Sequence, residues 1–228
     1  MPIEIAFLIP VDRPTAQDFV GPWEVISRWG DVNRHLVASK PGLIETDSSF
    51  KVEIPEALHE IPQPDLILVP GTSEPFKAIR DTAAVDWLRE MAPGARWVTS
   101  VCTGAGVLAA AGLLQGKKAT THWSFRKDLA SMGVNVVSDR VVFEGNIVTG
   151  AGIMAGVDMA LEVSLREKGQ DYTEAIQLSM EYDPAPPVDS GSLEKAGPEV
   201  KAWTVNMFDQ MVDHIRPDDW GGLAEVRS

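Results

Sequence analysis

The stretch Trp97 to Gly116, WVTSVCTGAGVLAAAGLLQG, constrains this chain more than any other. Trp97 to Val101 is a short, apolar, β-branched run of the kind that forms a buried strand. Gly104 to Leu114 is small and apolar throughout, as a helix packed closely on a sheet would be. A strand that passes directly into a helix does so at a sharp turn, and the residue at that turn is Cys102, the only cysteine in the sequence. Such a turn holds its side chain above the carboxyl edge of the sheet, beside the unsatisfied N–H groups of the helix's first turn. Those donors favour negative charge, so the thiol is expected to ionise more readily than a free cysteine and to serve as a nucleophile. A lone cysteine can also be a small buried hydrophobe. Its place between a core strand and a helix of tiny residues, with no disulfide partner, favours the chemical role.

The rest of the chain alternates in the same way. Ile3 to Ile9, Arg34 to Ser39 and Asp65 to Val69 read as strands, and Phe50 to Ile54 as a shorter one that pairs at an edge. Lys117 to Trp123 reads as a short strand and turn leading to a helix through Ala130. Val134 to Val137, Arg140 to Phe143 and Ile147 to Thr149 follow as strands, the last two joined by a turn at Glu144-Gly145-Asn146. Helices are expected over Asp18 to Arg28, Thr82 to Ala92, Ile153 to Lys168 and Asp171 to Tyr182. Strands alternating with helices imply an α/β three-layer sandwich, a mainly parallel sheet with helices on both faces. One domain over residues 1–190 is expected, then a proline-rich joint at Pro184 to Pro187 and a C-terminal helical extension over 191–228. Within that extension Leu193 to Ile215 reads as helical, with Trp203, Met207, Phe208, Met211 and Ile215 on an apolar face that needs a partner.

The formal net charge of −13, with no cluster of Lys and Arg, argues against a nucleic-acid or acidic-membrane surface. The N-terminus MPIEIAFLIP has no basic region, and its apolar run is too short for a signal peptide or a membrane span. A soluble, cytoplasmic protein is expected, the single cysteine suiting a reducing compartment.

Asp18 lies just past the first strand, on the edge where Cys102 should also stand, although an aspartate there could simply cap a helix. Pro70-Gly71-Thr72 ends another core strand, and a glycine turn there could offer backbone N–H groups to the same edge. Gly104, Gly106 and Ala109 spell G-x-G-x-x-A, but the dinucleotide motif follows the first strand of its unit and has an acidic residue ending the second. Here the matching place holds Lys127-Asp128 within a helix. These small residues are better read as helix-to-sheet packing. Of His35, His59, His122 and His214, only His122 follows the turn at a distance that could serve Cys102, and a structural role beside Trp123 suits it better. Isolated histidines and one cysteine give no metal-ligand spacing, so no metal is expected. Cys102 and Asp18 remain as the reactive pair, a sulfur that attacks an electrophilic carbon and a carboxyl group that moves protons. Placed close together, each would push the other's pKa away from its own.

The segments PGT at 70–72, VTSVCTGAGVLAAAGLLQGKKATTHW at 98–123 and TGAGIMAGVDMAL at 149–161 resemble the ThiJ/PfpI superfamily, a branch of the class I glutamine amidotransferase-like fold. DFVGPWEV at 18–25 and EYDPAPPVDSGS at 181–192 extend the likeness to the isocyanide hydratases within it. The resemblance implies a flavodoxin-like fold, a nucleophile elbow and a homodimer that hydrates a small-molecule isocyanide to an N-substituted formamide without metal or cofactor. It implies Cys102 as nucleophile, Asp18 as acid and base, and Thr103 hydrogen-bonded near the thiol. Backbone N–H groups of Thr72 and Thr103 would stabilise negative charge, with Gly71, Thr72, Trp23, Ile153 and Met154 around the pocket.

Thr72 stands where the superfamily usually has a second glycine, Trp23 where it often has histidine, and Met154 where a small polar residue is expected. No histidine occurs from Gly150 to Met154, where the related peptidases and amidotransferases carry theirs, which counts against a related amidase. Two other readings stay open. Similar segments occur in the ligand-sensing half of AraC-like regulators, although the tail here is short and acidic for two helix-turn-helix units. A redox protein that oxidises Cys102 to sulfinate is the other.

Overall fold

In the computed structural model, which describes residues 2–212, the chain begins with β1 (Ile3–Leu8), α1 (Ala16–Ile26) and β2 (Val32–Ala38). A ribbon of β3 (Gly42–Glu45) and β4 (Lys51–Ile54) follows, then β5 (Glu56–Ala57), β6 (Leu66–Val69), α2 (Pro75–Ile79), α3 (Thr82–Met91) and β7 (Trp97–Val101). After a 3₁₀ turn at Cys102–Gly104 come α4 (Ala105–Ala110), β8 (Lys118–Ala119), α5 (Arg126–Ser131), β9 (Asn135–Val136), β10 (Val141–Glu144) and β11 (Ile147–Gly150). The long α6 (Ala155–Lys168), α7 (Gln170–Ser179) and α8 (Pro198–Val212) complete the described chain.

Seven strands form the central sheet in the order β10-β11-β7-β6-β1-β2-β5. All neighbours run parallel except β10 and β11, which Gly145 joins as a hairpin with its φ at +67°. Helices cover both faces, which is why the inner strand β6 is apolar at every position and its neighbours β1 and β7 are largely so. Ala6, Leu8, Ile67, Val69 and Val98 pack into the core shared with α3 and α4. Ile5, Phe7, Leu66, Leu68 and Val101 enter the opposite core under α1 and α6. The expected α/β three-layer sandwich is the observed fold.

Three details differ from the sequence reading. The helix after Cys102 ends at Ala110 rather than Leu114, because the chain turns through Gly112 and Gly116, both at positive φ. Residues 51–54 do not pair at the edge of the main sheet. They pair with β3 in a separate antiparallel ribbon, and the two-residue β5 takes the sheet edge instead. The helix α2, with Pro75 in its first turn, had no counterpart in the sequence reading.

Beyond residue 190 the chain returns to the domain through α8. Phe208 packs on His122 and Trp123, with ring centroids 5.5 and 4.9 Å away, and Glu194 approaches Arg126 at 3.6 Å. Trp203 remains 67% exposed. The end of the expected tail helix, residues 213–215 with His214 and Ile215, lies outside the described residues.

Candidate active site

Cys102 is a non-glycine residue with φ at +56°, in the left-handed region that L-residues rarely adopt. Its surroundings hold it there. Its N–H donates to the Ala151 carbonyl at 2.8 Å, and the Thr121 hydroxyl donates to its carbonyl at 2.7 Å. Gly104 lets the turn press against the end of β6, since a Cβ there would lie 2.2 Å from the Val69 carbonyl oxygen. Gly106 leaves room for Phe125 and Ile79, so the small residues of the G-x-G-x-x-A run serve packing. Cys102 is itself buried, at 5% exposure, among the core residues under α1 and α6.

Asp18, in the first turn of α1, is fully buried and reaches the same rim. The Gly71 N–H donates to its Oδ2 at 2.8 Å. A Cβ on Gly71 would lie 2.7 Å from that oxygen, 2.7 Å from the Thr103 nitrogen and 2.8 Å from the Cys102 Cβ, so three functional groups converge on one glycine. Loss of hydration pushes the Asp18 pKa up to about 7, against the lowering effect of the Gly71 N–H and the Cys102 thiol. The thiol and the carboxyl group act on each other electrostatically, each altering the other's titration. The Asp18 Oδ1 is buried without a hydrogen-bond partner among the described residues.

The thiol corrects the sequence expectation. Burial first, then the charge of Asp18, hold its pKa well above the usual value, and the lowering hydrogen bond from the Thr103 N–H does not overcome them. The helix behind it, α4, is six residues long and offers little dipole to offset desolvation. The resting pair is therefore a protonated thiol beside a carboxyl group that exchanges its proton near neutrality.

Residues 4–165 match the model of the DJ-1/PfpI family. The chain belongs to that family. It is 41% identical over 198 residues to an isonitrile hydratase of Pseudomonas putida, covering 86% of each chain. It is 29% identical over 169 residues to the HTH-type transcriptional regulator CdhR of Pseudomonas aeruginosa, of which it spans 49%. Among solved structures, a ThiJ/PfpI family protein from Pseudomonas syringae superposes with a TM-score of 0.89 at 31% identity, over 93% of this chain and 88% of that one.

Around the rim of this DJ-1/PfpI domain, the remaining expected residues divide. Thr103 accepts the Thr72 N–H at 2.9 Å on its hydroxyl and returns a bond to the Thr72 carbonyl at 3.0 Å. Thr72 N–H is therefore already engaged and, contrary to expectation, not free to stabilise an anion. The Thr72 hydroxyl donates to the carbonyls of Asp12 and Arg13, which stitches the loop before α1 to the turn after β6. Ile153 and Met154, 39% and 51% exposed, lie on the turn whose Ala151 binds the Cys102 N–H.

Trp23 does not line the mouth. Its ring packs on Phe7 at 4.9 Å and carries the Arg34 guanidinium at 5.2 Å, over the sheet and below its rim. His122 lies against Gly152, where a Cβ would come within 3.1 Å of its Cδ2. Burial, then Arg126, lower its pKa to about 4, so it is neutral at pH 7, and its Nδ1 bonds the Ser124 hydroxyl at 2.7 Å. His35 is held between Glu4 and Glu56 at 2.9 and 2.8 Å, away from the rim. No cluster of three or more His, Cys, Asp or Glu suited to a metal occurs among the described residues, and no helix among them is long and apolar enough to cross a membrane. Thr121 and Ala151, which brace the site, fell within the family-like segments but were not singled out, and Asp47 carried no signal in the sequence.

Proposed function

We propose that this protein is a cysteine-dependent hydratase that adds water to isocyanides and releases N-substituted formamides. The observation that carries the reading is the buried Asp18, its pKa raised to about 7, gathered with the strained Cys102 elbow around Gly71. The 41% identity to the Pseudomonas putida isonitrile hydratase supports the choice of substrate class.

The steps follow from the two groups. An isocyanide carbon accepts both a nucleophile and a proton. The Asp18 carboxylate takes the thiol proton as the Cys102 sulfur bonds to that carbon, and then delivers the proton to the same carbon, giving a thioimidate S–CH=N–R. A carboxyl group of pKa about 7 is a stronger base for this transfer than an ordinary aspartate. Asp18 next takes a proton from water as the oxygen attacks the thioimidate carbon, and hands that proton to the nitrogen. Collapse of the tetrahedral adduct forms the carbonyl, breaks the C–S bond and returns a proton to sulfur. The sum is R–N≡C plus water to R–NH–CHO. The Thr103 N–H, which faces the sulfur, steadies negative charge there as the thiolate forms and leaves. Ile153 and Met154 supply an apolar approach for R.

Under this reading residues 1–190 are the catalytic domain and 191–228 an extension, and the enzyme works in the cytoplasm as a homodimer. The test is purified protein with an aromatic isocyanide, beside Cys102→Ala and Asp18→Ala. Formamide formed by the wild type and lost in both variants is the expected result. An inactive wild type overturns it, and a peroxide-dependent mass increase at Cys102 in that protein would favour the redox reading.

A further inference from the structure

The loop between β3 and β4 brings Asp47 to the amino end of α1. Thr15 is the N-cap of α1, yet its hydroxyl makes no cap and donates instead to Asp47 Oδ2 at 2.6 Å. The Asp47 N–H donates to the Pro14 carbonyl at 3.1 Å, and Arg13 Nη2 donates to the Asp47 carbonyl at 3.1 Å. The same segment holds the site. The Thr15 N–H donates to the Gly71 carbonyl at 2.9 Å, and the Asp18 N–H to the Thr15 carbonyl at 3.1 Å. One bonded path thus runs from Asp47 through Thr15 to Asp18 and to Gly71, the two residues whose bond fixes the carboxyl group.

The charge of Asp47 is also felt directly. It favours the protonated forms of both Asp18 and Cys102. The titratable groups acting on Asp18 are therefore Cys102, from the turn after β7, and Asp47, from the β3–β4 loop. Arg13, in the loop before α1, turns its guanidinium to the Asp47 carbonyl. An asparagine would accept the Thr15 hydroxyl as well as an aspartate does, so what the carboxylate adds is its charge.

We infer that Asp47 is a positioning residue for the Cys102–Asp18 pair, orienting the start of α1 through Thr15 and holding the shared proton on the pair with its charge. The inference rests on reading that pair as the reacting groups. It does not depend on which substrate they serve.

The test is the rate of Cys102 alkylation by iodoacetamide as a function of pH, which reads one site because the chain has one cysteine. Asp47→Asn removes the charge and keeps an acceptor for Thr15, and Asp47→Ser removes the charge with a side chain one atom shorter. Glu53→Gln removes an exposed charge from the same ribbon. The alkylation midpoint is expected to fall by about half a pH unit in both Asp47 variants, with a two- to threefold faster reaction on the rising limb at about that shift, and to stay in place in Glu53→Gln. Near-ultraviolet circular dichroism checks that each variant is folded. Where the thiol resists the reagent, the carbon-13 shift of the Asp18 carboxyl group reads the same displacement. Superimposable curves for wild type and both Asp47 variants overturn the inference, as does an equal shift in Glu53→Gln. Formamide assays on the same proteins separate the two readings. A shift without wild-type turnover leaves Asp47 in its role and removes the hydratase. Turnover without a shift does the reverse.

Discussion

Gly71 gives its N–H to Asp18 Oδ2 at 2.8 Å, from a position where no side chain can stand. The turn after β6 and the first turn of α1 therefore share one hydrogen bond at the edge of the sheet, with the Cys102 Cβ on its far side.

Gly71→Ala should separate the reacting groups. The new methyl would lie under 3 Å from Asp18, Thr103 and Cys102, two of the contacts being with a backbone nitrogen and a Cβ that cannot swing away. Steady-state kinetics should show kcat/KM lower by about 100-fold, the effect of a misplacement of about 1 Å. Thermal unfolding should show a loss of about 1–3 kcal/mol from overpacking.

Asp18→Asn should abolish turnover and yet stabilise the fold at alkaline pH. The carboxyl group titrates at about 7 in the folded protein against 3.8 when solvated, so the native state retains a proton that the unfolded chain releases between those values. Wild-type stability contributed by this group thus falls as pH rises through that window. The variant's advantage should be near zero at pH 4 and grow to at most about 4 kcal/mol above pH 7. Urea unfolding at both pH values checks this, and equal differences at the two would refute the burial of a titrating carboxyl group.

Thr103→Val should cost stability more than chemistry. Its hydroxyl serves the N–H and the carbonyl of Thr72, while its own N–H, the group facing sulfur, survives the substitution. Denaturant titration should register about 2 kcal/mol for two lost buried hydrogen bonds. Activity below one-tenth of wild type would show instead that the hydroxyl touches the substrate.

Phe208→Ala should release α8 from the domain. Its ring contacts with His122 and Trp123 are worth about 0.5–1.5 kcal/mol beyond their area, and little else among the described contacts ties α8 down. Limited proteolysis should cleave between residues 190 and 212 faster than in wild type, while Trp203→Ala, at a 67% exposed position, should not change the rate.

What the sequence disclosed tracks the range over which each feature is encoded. The strands β1, β6 and β7 were legible because both faces are covered and most of their residues are apolar. Cys102 and Asp18 were legible because each follows such a strand. Of the ribbon, β4 was read as a strand but β3 was not, since Leu43 is 69% exposed and Glu45 faces solvent, so the pairing of the two was missed. Asp47 went unseen with it, because its bond to Thr15 joins positions 32 residues apart. Trp23 was misplaced because a motif position fixes a place on the helix but not the layer its ring enters, here over Phe7. The thiol was misjudged because helix geometry is local and readable, whereas the desolvation that outweighs it depends on everything packed around the sulfur.

The left-handed backbone of Cys102 has a consequence for anyone improving this protein. Glycine adopts that conformation freely, so Cys102→Gly would relax the elbow and erase the nucleophile in one step. A library ranked on heat survival alone would enrich inert proteins at this codon. Screens for robustness must therefore score turnover in the same well.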